Sequence, residues 1–138
     1  ECDQSLAVWT ARTLFRLPYQ HAEMSANRAN DGFIEYHSQR RGDAHRSEFR
    51  YRFKEGTKVA EPGTLEFFLA ERYLLFTQTP RGLRTGRVHH VPYPLADVEL
   101  DAWDADLFRL NGYPVPTRPP DHVIGSPGVA VTVYPLRG

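Results

Sequence analysis

The sequence predicts either an antiparallel α+β fold or a partly closed barrel. Three observations lead to this prediction. One helical pattern opens the chain, many short segments with apolar residues at every second position follow it, and turn residues separate these segments. The 138 residues are enough for one domain with its own core, so residues 1–138 are predicted to form a single domain.

The first predicted element is a helix over residues 5–16, where apolar side chains recur every three or four positions. The recurring residues are Leu6, Trp9, Thr13 and Leu14. Asp3 or Ser5 can cap its start. Pro18 is expected to end it, because a proline disfavours helical geometry in the residue before it.

The pattern then changes to alternation at every second position, which is typical of strands that expose one face. Strands are predicted over residues 21–27, 33–40, 46–54, 72–77, 83–91, 97–103 and 129–134. The clearest is 46–54, with Phe49 and Tyr51 on one face and Arg50 and Arg52 on the other. We interpret that arginine face as solvated.

Two short helices are predicted among the strands, over residues 64–71 and 104–110, and a proline-rich loop over 113–120. Thr64 can cap the former, and Glu66 lies in its first turn, where the helix dipole favours an anion. Apolar residues surround most of this helix, so we expect it to be buried on more than one side.

Charge and cysteine content exclude several classes. The 17 basic and 17 acidic residues give no net charge, which argues against nucleic-acid binding, and no apolar run is long enough for a membrane span. Cys2 is the single cysteine, so an intrachain disulfide and a cysteine-based zinc site are excluded. A reducing, cytoplasmic location is expected. The chain opens at Glu1 without an initiator Met, and we expect it to be N-terminally truncated.

The segment Tyr19-Gln20-His21 follows Pro18 at the start of a predicted strand. In an extended chain the side chains of Tyr19, His21 and Glu23 share one face. Two interpretations stay open: a strand with one solvated face, or a pocket in which Tyr19 and His21 act as hydrogen-bond donors.

The segment "LEFFLAERY" embeds Glu66, Glu71 and Arg72 among apolar and aromatic residues. An isolated buried ion is strongly disfavoured, so these charges are expected to be paired. They form either a structural Arg–Glu pair or a site where Arg72 holds an acidic ligand through its planar guanidinium.

The segment "RVHHVPYP" contains His89 and His90. Neighbouring strand residues point to opposite faces, so both cannot bind one small ligand, and we predict no metal. One histidine needs a specific partner if it is buried. It either fixes this strand to its neighbour or serves as a proton carrier at neutral pH.

Four motifs occur in the order expected of the YqjF-like family, which the chain resembles over nearly its whole length. They are "LFRLPYQHAEM", "PGTLEFFLAERYLLFT", "GRVHHVPYPL" and "SPGVAVTVYPL". That family resembles acetoacetate decarboxylase in fold. The resemblance implies a mostly antiparallel, partly closed α+β barrel with short peripheral helices, of which this chain is the C-terminal part. Some apolar surface should then be open or covered by a partner chain.

The resemblance also implies where a decarboxylase would hold its catalytic lysines. The segment Phe-Gly-Tyr-Pro-Lys-Lys of acetoacetate decarboxylase corresponds to residues 15–20, which places Tyr19 and Gln20 at the lysine positions. Neither residue forms an imine. The only lysines, Lys54 and Lys58, flank a turn-like stretch and are expected to be solvated.

The leading hypothesis is therefore a barrel that binds a small acidic or carbonyl ligand, without lysine-dependent decarboxylation and without a cofactor. Whether the chain is an enzyme stays open. The candidate ligand residues are Tyr19, His21, Glu66, Glu71, Arg72, His89 and His90. The alternative is a non-catalytic structural or regulatory module with a side-chain-filled barrel. A homo-oligomer is compatible with either hypothesis.

Overall fold

The computed structural model describes residues 1–138 as two antiparallel sheets and three short helices. The helices are α1 (Ser5–Leu14), α2 (Leu65–Ala70) and α3 (Asp106–Leu110). The strands are β1 (Ala22–Arg28), β2 (Ile34–Arg40), β3 (Ser47–Phe53), β4 (Leu74–Thr79), β5 (Gly82–His89), β6 (Ala96–Ala102), β7 (Ile124–Gly125) and β8 (Thr132–Val133). The predicted α+β class with mostly antiparallel strands is confirmed.

The two sheets are separate. Five strands form one sheet in the order β1-β2-β3-β6-β7, and three form the other in the order β4-β5-β8. Every pairing between these strands is antiparallel, and no closed barrel is found. None of the three helices is long and apolar enough to cross a membrane.

The five-stranded sheet has one charged face and one aromatic face. On the charged face Arg50 pairs with Asp31, and Arg52 pairs with Glu99 at 2.6 Å. Both guanidinium groups lie over the buried ring of Phe33, at 4.1 and 4.5 Å from its centroid. This face therefore carries mixed charges in ion pairs, and it is only partly solvated, because Arg52 is exposed whereas Arg50 is half-buried.

The aromatic face carries Tyr36 and Phe49, which are directly opposite each other on β2 and β3. Their ring centroids are 6.0 Å apart. Tyr51 and Phe53 follow along β3 with centroids 5.8 Å apart in a T-shaped arrangement. These four side chains are only half-buried, so this face is incompletely covered.

Helix α1 differs from its prediction at both ends. Gln4 is the N-cap residue and makes no side-chain cap bond, so neither Asp3 nor Ser5 caps the helix. The helix ends at Leu14 rather than residue 16, because Arg16 takes the left-handed conformation with φ 54°. The chain has therefore turned before it reaches Pro18.

The buried face of α1 consists of Val8 and Ala11. The recurring residues Leu6 and Trp9 lie on the exposed side and are 75% and 58% accessible. The apolar residues whose spacing predicted the helix therefore do not form its buried face, because the helix makes its close contacts through smaller side chains.

Helix α2 begins as predicted, since the Thr64 hydroxyl accepts a hydrogen bond from the Phe67 N–H at 3.2 Å. The prediction that it is buried on more than one side is wrong: it has no buried residue, and Leu65, Phe68 and Leu69 are at least half exposed. No described element covers these side chains.

The C-terminal strand also differs. Strand β8 spans only Thr132–Val133, whereas a strand over residues 129–134 was predicted, and the short strand Ile124–Gly125 beside β6 was not predicted. Pairing over two residues leaves too little periodicity to be read from a sequence.

The core is small. Only 14 of 138 residues are buried. The buried apolar residues are Val8, Ala11, Ala22, Phe33, Ala60, Leu95, Ala96 and Ala105. Large apolar side chains of α1, α2, β4 and β5 are exposed instead. The open apolar surface expected from the resemblance is present.

Candidate functional site

Tyr19 lies in an apolar cleft between α1 and the three-stranded sheet. This cleft, called the α1 cleft below, has a volume of about 670 Å³. Its sheet side is formed by Leu75, Val88 and Val133. Tyr19 is 39% exposed there, with no hydrogen bond to its hydroxyl group. The α1 cleft brings no charged side chain to Tyr19.

His21 is placed by the backbone and by α1. Its main chain pairs in parallel with Cys2, and its Nε2 atom lies 2.9 Å from the hydroxyl oxygen of Ser5, the first residue of α1. The Nδ1 atom is buried without a hydrogen-bond partner. A hydrogen-bonded Ser–His pair is part of a Ser-His-Asp catalytic triad. No carboxylate bonds to Nδ1 of His21, so Ser5 and His21 do not form such a triad.

Among the charged residues of the predicted site, Glu71 makes the most complete set of hydrogen bonds. It ends α2 and is buried, with 8% of its surface accessible. One carboxylate oxygen accepts a hydrogen bond from the Tyr73 hydroxyl, and the other accepts the Tyr93 N–H at 3.0 Å. The hydrogen bond to Glu71 raises the pKa of Tyr73, so its phenol remains protonated at neutral pH.

The two adjacent histidines differ in exposure, and the strand predicted to contain both ends at the first of them. His89, the last residue of β5, is exposed, whereas His90 is buried. The His90 ring stacks on Tyr73 with centroids 4.6 Å apart and contacts the ring of Tyr93 at 4.7 Å. Glu71, Tyr73, His90 and Tyr93 therefore form one compact cluster that fixes the segment after β5 against the end of α2.

Arg72 has no carboxylate partner. Its guanidinium lies 3.9 Å above the Phe68 ring and the residue is exposed. Glu66 instead faces His122, with 3.8 Å between Oε1 and Nε2. The structural Arg–Glu pair, one of the two alternatives for "LEFFLAERY", does not form. Glu71 and His90 are brought together, but Tyr19, His21 and Arg72 do not line a common cavity.

A second cavity lies beside β5 and the C-terminal segment. It has a volume of about 460 Å³, and we call it the arginine cavity. Its polar lining residues are Tyr73, Arg87, His89, Tyr134 and Arg137. No acidic residue lines it.

The backbone positions these residues closely. The Tyr134 N–H donates to the Arg87 carbonyl at 2.9 Å, and Thr85 forms a two-way bridge with Arg137 through bonds of 2.8 Å. The side chains of Arg87 and Arg137 make no hydrogen bond or salt bridge. Two unpaired guanidinium groups therefore border one cavity.

Of these residues the sequence analysis identified only His89. Arg87 carried a usable signal, because it stands two positions before His89 and so shares its face of the strand. Arg137 carried none, since its approach to β5 depends on a C-terminal segment that pairs over only a few residues.

Other chemistry is constrained by the same geometry. No three His, Cys, Asp or Glu side chains lie close enough together to hold a metal ion. Lys54 and Lys58 are exposed, as expected, and neither lines the α1 cleft or the arginine cavity.

Comparisons with known proteins support the YqjF-like resemblance. The family DUF2071, "Uncharacterized conserved protein (COG2071)", matches residues 1–130. The chain is also similar to "Uncharacterized protein YqjF" of Bacillus subtilis (strain 168), with 32% identity over 121 residues. That alignment covers 87% of this chain and 50% of the relative, so the chain spans about half the length of the curated relative it matches. No solved structure matches.

Proposed function

The chain belongs to the DUF2071 family, and from this premise we propose that it binds a small organic acid in the arginine cavity. The observation that carries the proposal is the presence of two unpaired guanidinium groups, Arg87 and Arg137, around a cavity that no carboxylate lines. The volume of about 460 Å³ lies within the usual range for small-molecule sites.

The chemistry of these side chains favours a carboxylate. A guanidinium group holds a carboxylate through two parallel hydrogen bonds, and like charges without a counter-ion repel one another until an anion binds. His89 also lines the cavity, and a ring N–H of its imidazole can add a third donor. The rings of Tyr73 and Tyr134 supply apolar surface for the organic part of the ligand.

Tyr73 connects the cavity to the buried cluster. Its ring lines the cavity while its hydroxyl group donates to Glu71, so the ring orientation is held by a buried carboxylate. We propose that Glu71 and His90 position Tyr73 and do not contact the ligand. Arg72 is outside the cavity and is replaced in the proposed ligand set by Arg87 and Arg137.

Lysine-dependent decarboxylation is not part of the proposal. Both lysines are exposed and outside the two cavities, and Tyr19 occupies the position at which the decarboxylase resemblance implies a lysine. We retain a decarboxylase-like fold for the whole protein as a proposal, supported by the motif order and by the mostly antiparallel strands.

The test is a thermal-shift and calorimetric titration with acetate, acetoacetate and 2-oxoglutarate. A ligand that binds only the native state raises the melting temperature. The double variant Arg87→Ala/Arg137→Ala should lose at least tenfold in affinity. Arg81→Ala, which removes an exposed arginine of the β4–β5 turn outside the cavity, is the surface-arginine control and should bind normally.

Arg72→Ala separates this proposal from the hypothesis based on the sequence alone. It should leave carboxylate binding unchanged, because Arg72 stacks on Phe68 away from the cavity. Loss of binding in Arg72→Ala with retention in the double variant would refute the arginine cavity as the site.

A structural or regulatory module is the second candidate. Two observations favour it: Glu71 is fully hydrogen-bonded within the fold, and large apolar side chains of α1, α2 and β4 are exposed. We propose that further polypeptide covers these side chains in the whole protein, since the curated relative is about twice as long as the aligned region. Absence of any carboxylate-dependent stabilisation, together with unchanged or higher stability of the double variant, would favour this candidate.

A further inference from the structure

The aromatic face of the five-stranded sheet forms one wall of a cleft that the chain itself partly roofs. Two adjoining cavities of about 410 and 620 Å³ lie along it and share Phe49, Leu100, Leu107, Val123 and Ile124. We call this space the aromatic cleft, and we propose that it binds a neutral, planar, ring-containing organic molecule.

The cleft has a floor and a roof. Phe49 on β3 and Leu100 on β6 belong to the sheet, whereas Leu107 belongs to α3, and Val123 and Ile124 close the loop after it. All five side chains are half-buried. The floor and roof are therefore close enough to shield one another in part, and the space between them remains unfilled.

The roof argues for a small molecule as the occupant. An added strand or helix needs a face open over its whole length, whereas α3 and the loop at residues 116–124 already lie over this face. The exposed apolar residues of α1, α2 and β4 have no such cover and line neither of the two cavities, with the exception of Leu69 at the edge. The cleft is thus bounded in a way that those surfaces are not.

The charges at the rim argue for a neutral ligand. Arg118 pairs with Asp121, and His122 faces Glu66 at 3.8 Å. Asp104 bonds to a histidine of the β2–β3 turn at 2.6 Å. Because each rim charge has its own partner, the cleft offers no free ion to a charged ligand, and burying an unpaired carboxylate there would be unfavourable.

The aromatic side chains favour a flat ring. Tyr36 and Phe49 are tilted by 52°, and Tyr51 and Phe53 are nearly perpendicular, so edges and faces are both presented to the cleft. Desolvation raises the pKa of Tyr36, so its hydroxyl group stays protonated and adds no charge to the cleft.

Gly125 offers a way to narrow the cleft without removing any wall. A Cβ atom at Gly125 would overlap the Phe53 ring and lie 3.0 Å from Val98 Cγ2. Gly125→Ala should therefore displace the Phe53 ring, which lines the same cavity, and so change the shape of the cleft. Gly86→Ala is the matched control, because its Cβ would lie 2.9 Å from Leu75 Cγ in the other sheet, outside the cleft.

The experiment is a fluorescence titration with 2-naphthol, a neutral two-ring probe, and with 2-naphthoate, a carboxylate of the same ring system. It uses the Arg87→Ala/Arg137→Ala background, so that the arginine cavity cannot contribute. We expect saturable binding of 2-naphthol at one equivalent and at least tenfold weaker binding of 2-naphthoate. Failure of this titration leaves the carboxylate proposal intact, because that proposal is tested with the arginines present.

Two substitutions locate the probe. Phe49→Ala and Gly125→Ala should each weaken 2-naphthol binding at least tenfold, and Gly86→Ala should change it less than twofold. Circular dichroism and thermal melting show whether each variant folds. If Phe49→Ala does not fold, the test rests on the 2-naphthol affinity of Gly125→Ala. Non-saturable binding, equal binding of the two probes, or equal losses in Gly125→Ala and Gly86→Ala would each overturn the proposal.

Discussion

Replacing Glu71 by alanine should destabilise the fold far more than the same replacement of Glu66, although both residues belong to or end the same short helix. Glu71 is buried and accepts two hydrogen bonds, one from the Tyr73 hydroxyl and one from the Tyr93 N–H at 3.0 Å. Glu66 has only His122 at 3.8 Å.

The size of the destabilisation depends on whether the two hydrogen-bond donors, the Tyr73 hydroxyl and the Tyr93 N–H, can bond to water once the carboxylate is removed. A hydrogen bond to a charged group contributes roughly 1.5–3 kcal/mol. Tyr73 is 39% exposed and can turn its hydroxyl group to water, so most of the loss comes from the half-buried Tyr93 N–H. The substitution also removes the cost of burying the Glu71 carboxylate, which offsets part of this loss. We expect Glu71→Ala to lower the free energy of unfolding by about 2 kcal/mol.

Glu66→Ala loses a weak contact to His122 and a favourable position in the first turn of α2, which together amount to about 0.5 kcal/mol. Urea denaturation monitored by circular dichroism measures both variants. The midpoint should fall with an unchanged slope in each case. Equal destabilisation by the two substitutions would show that Glu71 is not the buried anchor described here.

Three further predictions follow from single residues. The hydrogen bond between His45 and Asp104, 2.6 Å long, raises the pKa of His45 in the folded protein. The stability that this bond contributes is therefore fully present below the unfolded-state pKa of His45 and is lost as the pH rises through the higher folded-state pKa. An NMR titration should therefore find the His45 midpoint above 6.5, and Asp104→Asn should lower it; no response would contradict the assignment. Borohydride in the presence of acetoacetate should leave Lys54 and Lys58 unmodified in mass spectra, whereas an adduct on either would refute the exclusion of imine chemistry. Arg16→Gly should raise the free energy of unfolding by about 0.5 kcal/mol, because glycine takes the left-handed φ of 54° without steric cost. Thermal melting measures the change, and a lower melting temperature would mean that the Arg16 side chain makes a stabilising contact.

Several elements were predictable because a local pattern decides them. The alternation of Phe49 and Tyr51 with Arg50 and Arg52 gave the third strand and both of its faces, and the structure keeps them. The Thr64 cap was likewise read from the sequence, since a cap bond joins residues only three positions apart.

The candidate site was only partly predictable. His89 and His90 were expected on opposite faces of one strand; the strand ends at His89, which is exposed, and His90 is buried just beyond it. The hydrogen-bond partners of Glu71 could not be predicted from the sequence. Both Arg72 and Tyr73 are close enough in the chain to bond to its carboxylate, and Tyr93 approaches it only through the turn after β5. Charge type alone favoured the neighbouring arginine, which stacks on Phe68 instead.

The sequence alone was enough to predict the mostly antiparallel α+β class, the order of the elements other than β7, and the absence of a lysine at the position that the family resemblance singles out. These properties rest on periodicity and residue identity, which are local. The tertiary structure alone decided that the strands divide into two sheets, that α1 buries Val8 and Ala11 rather than Leu6 and Trp9, and that Arg87 and Arg137 border one cavity. Those outcomes depend on contacts between residues far apart in the chain, and no local pattern encodes which of the available faces will meet.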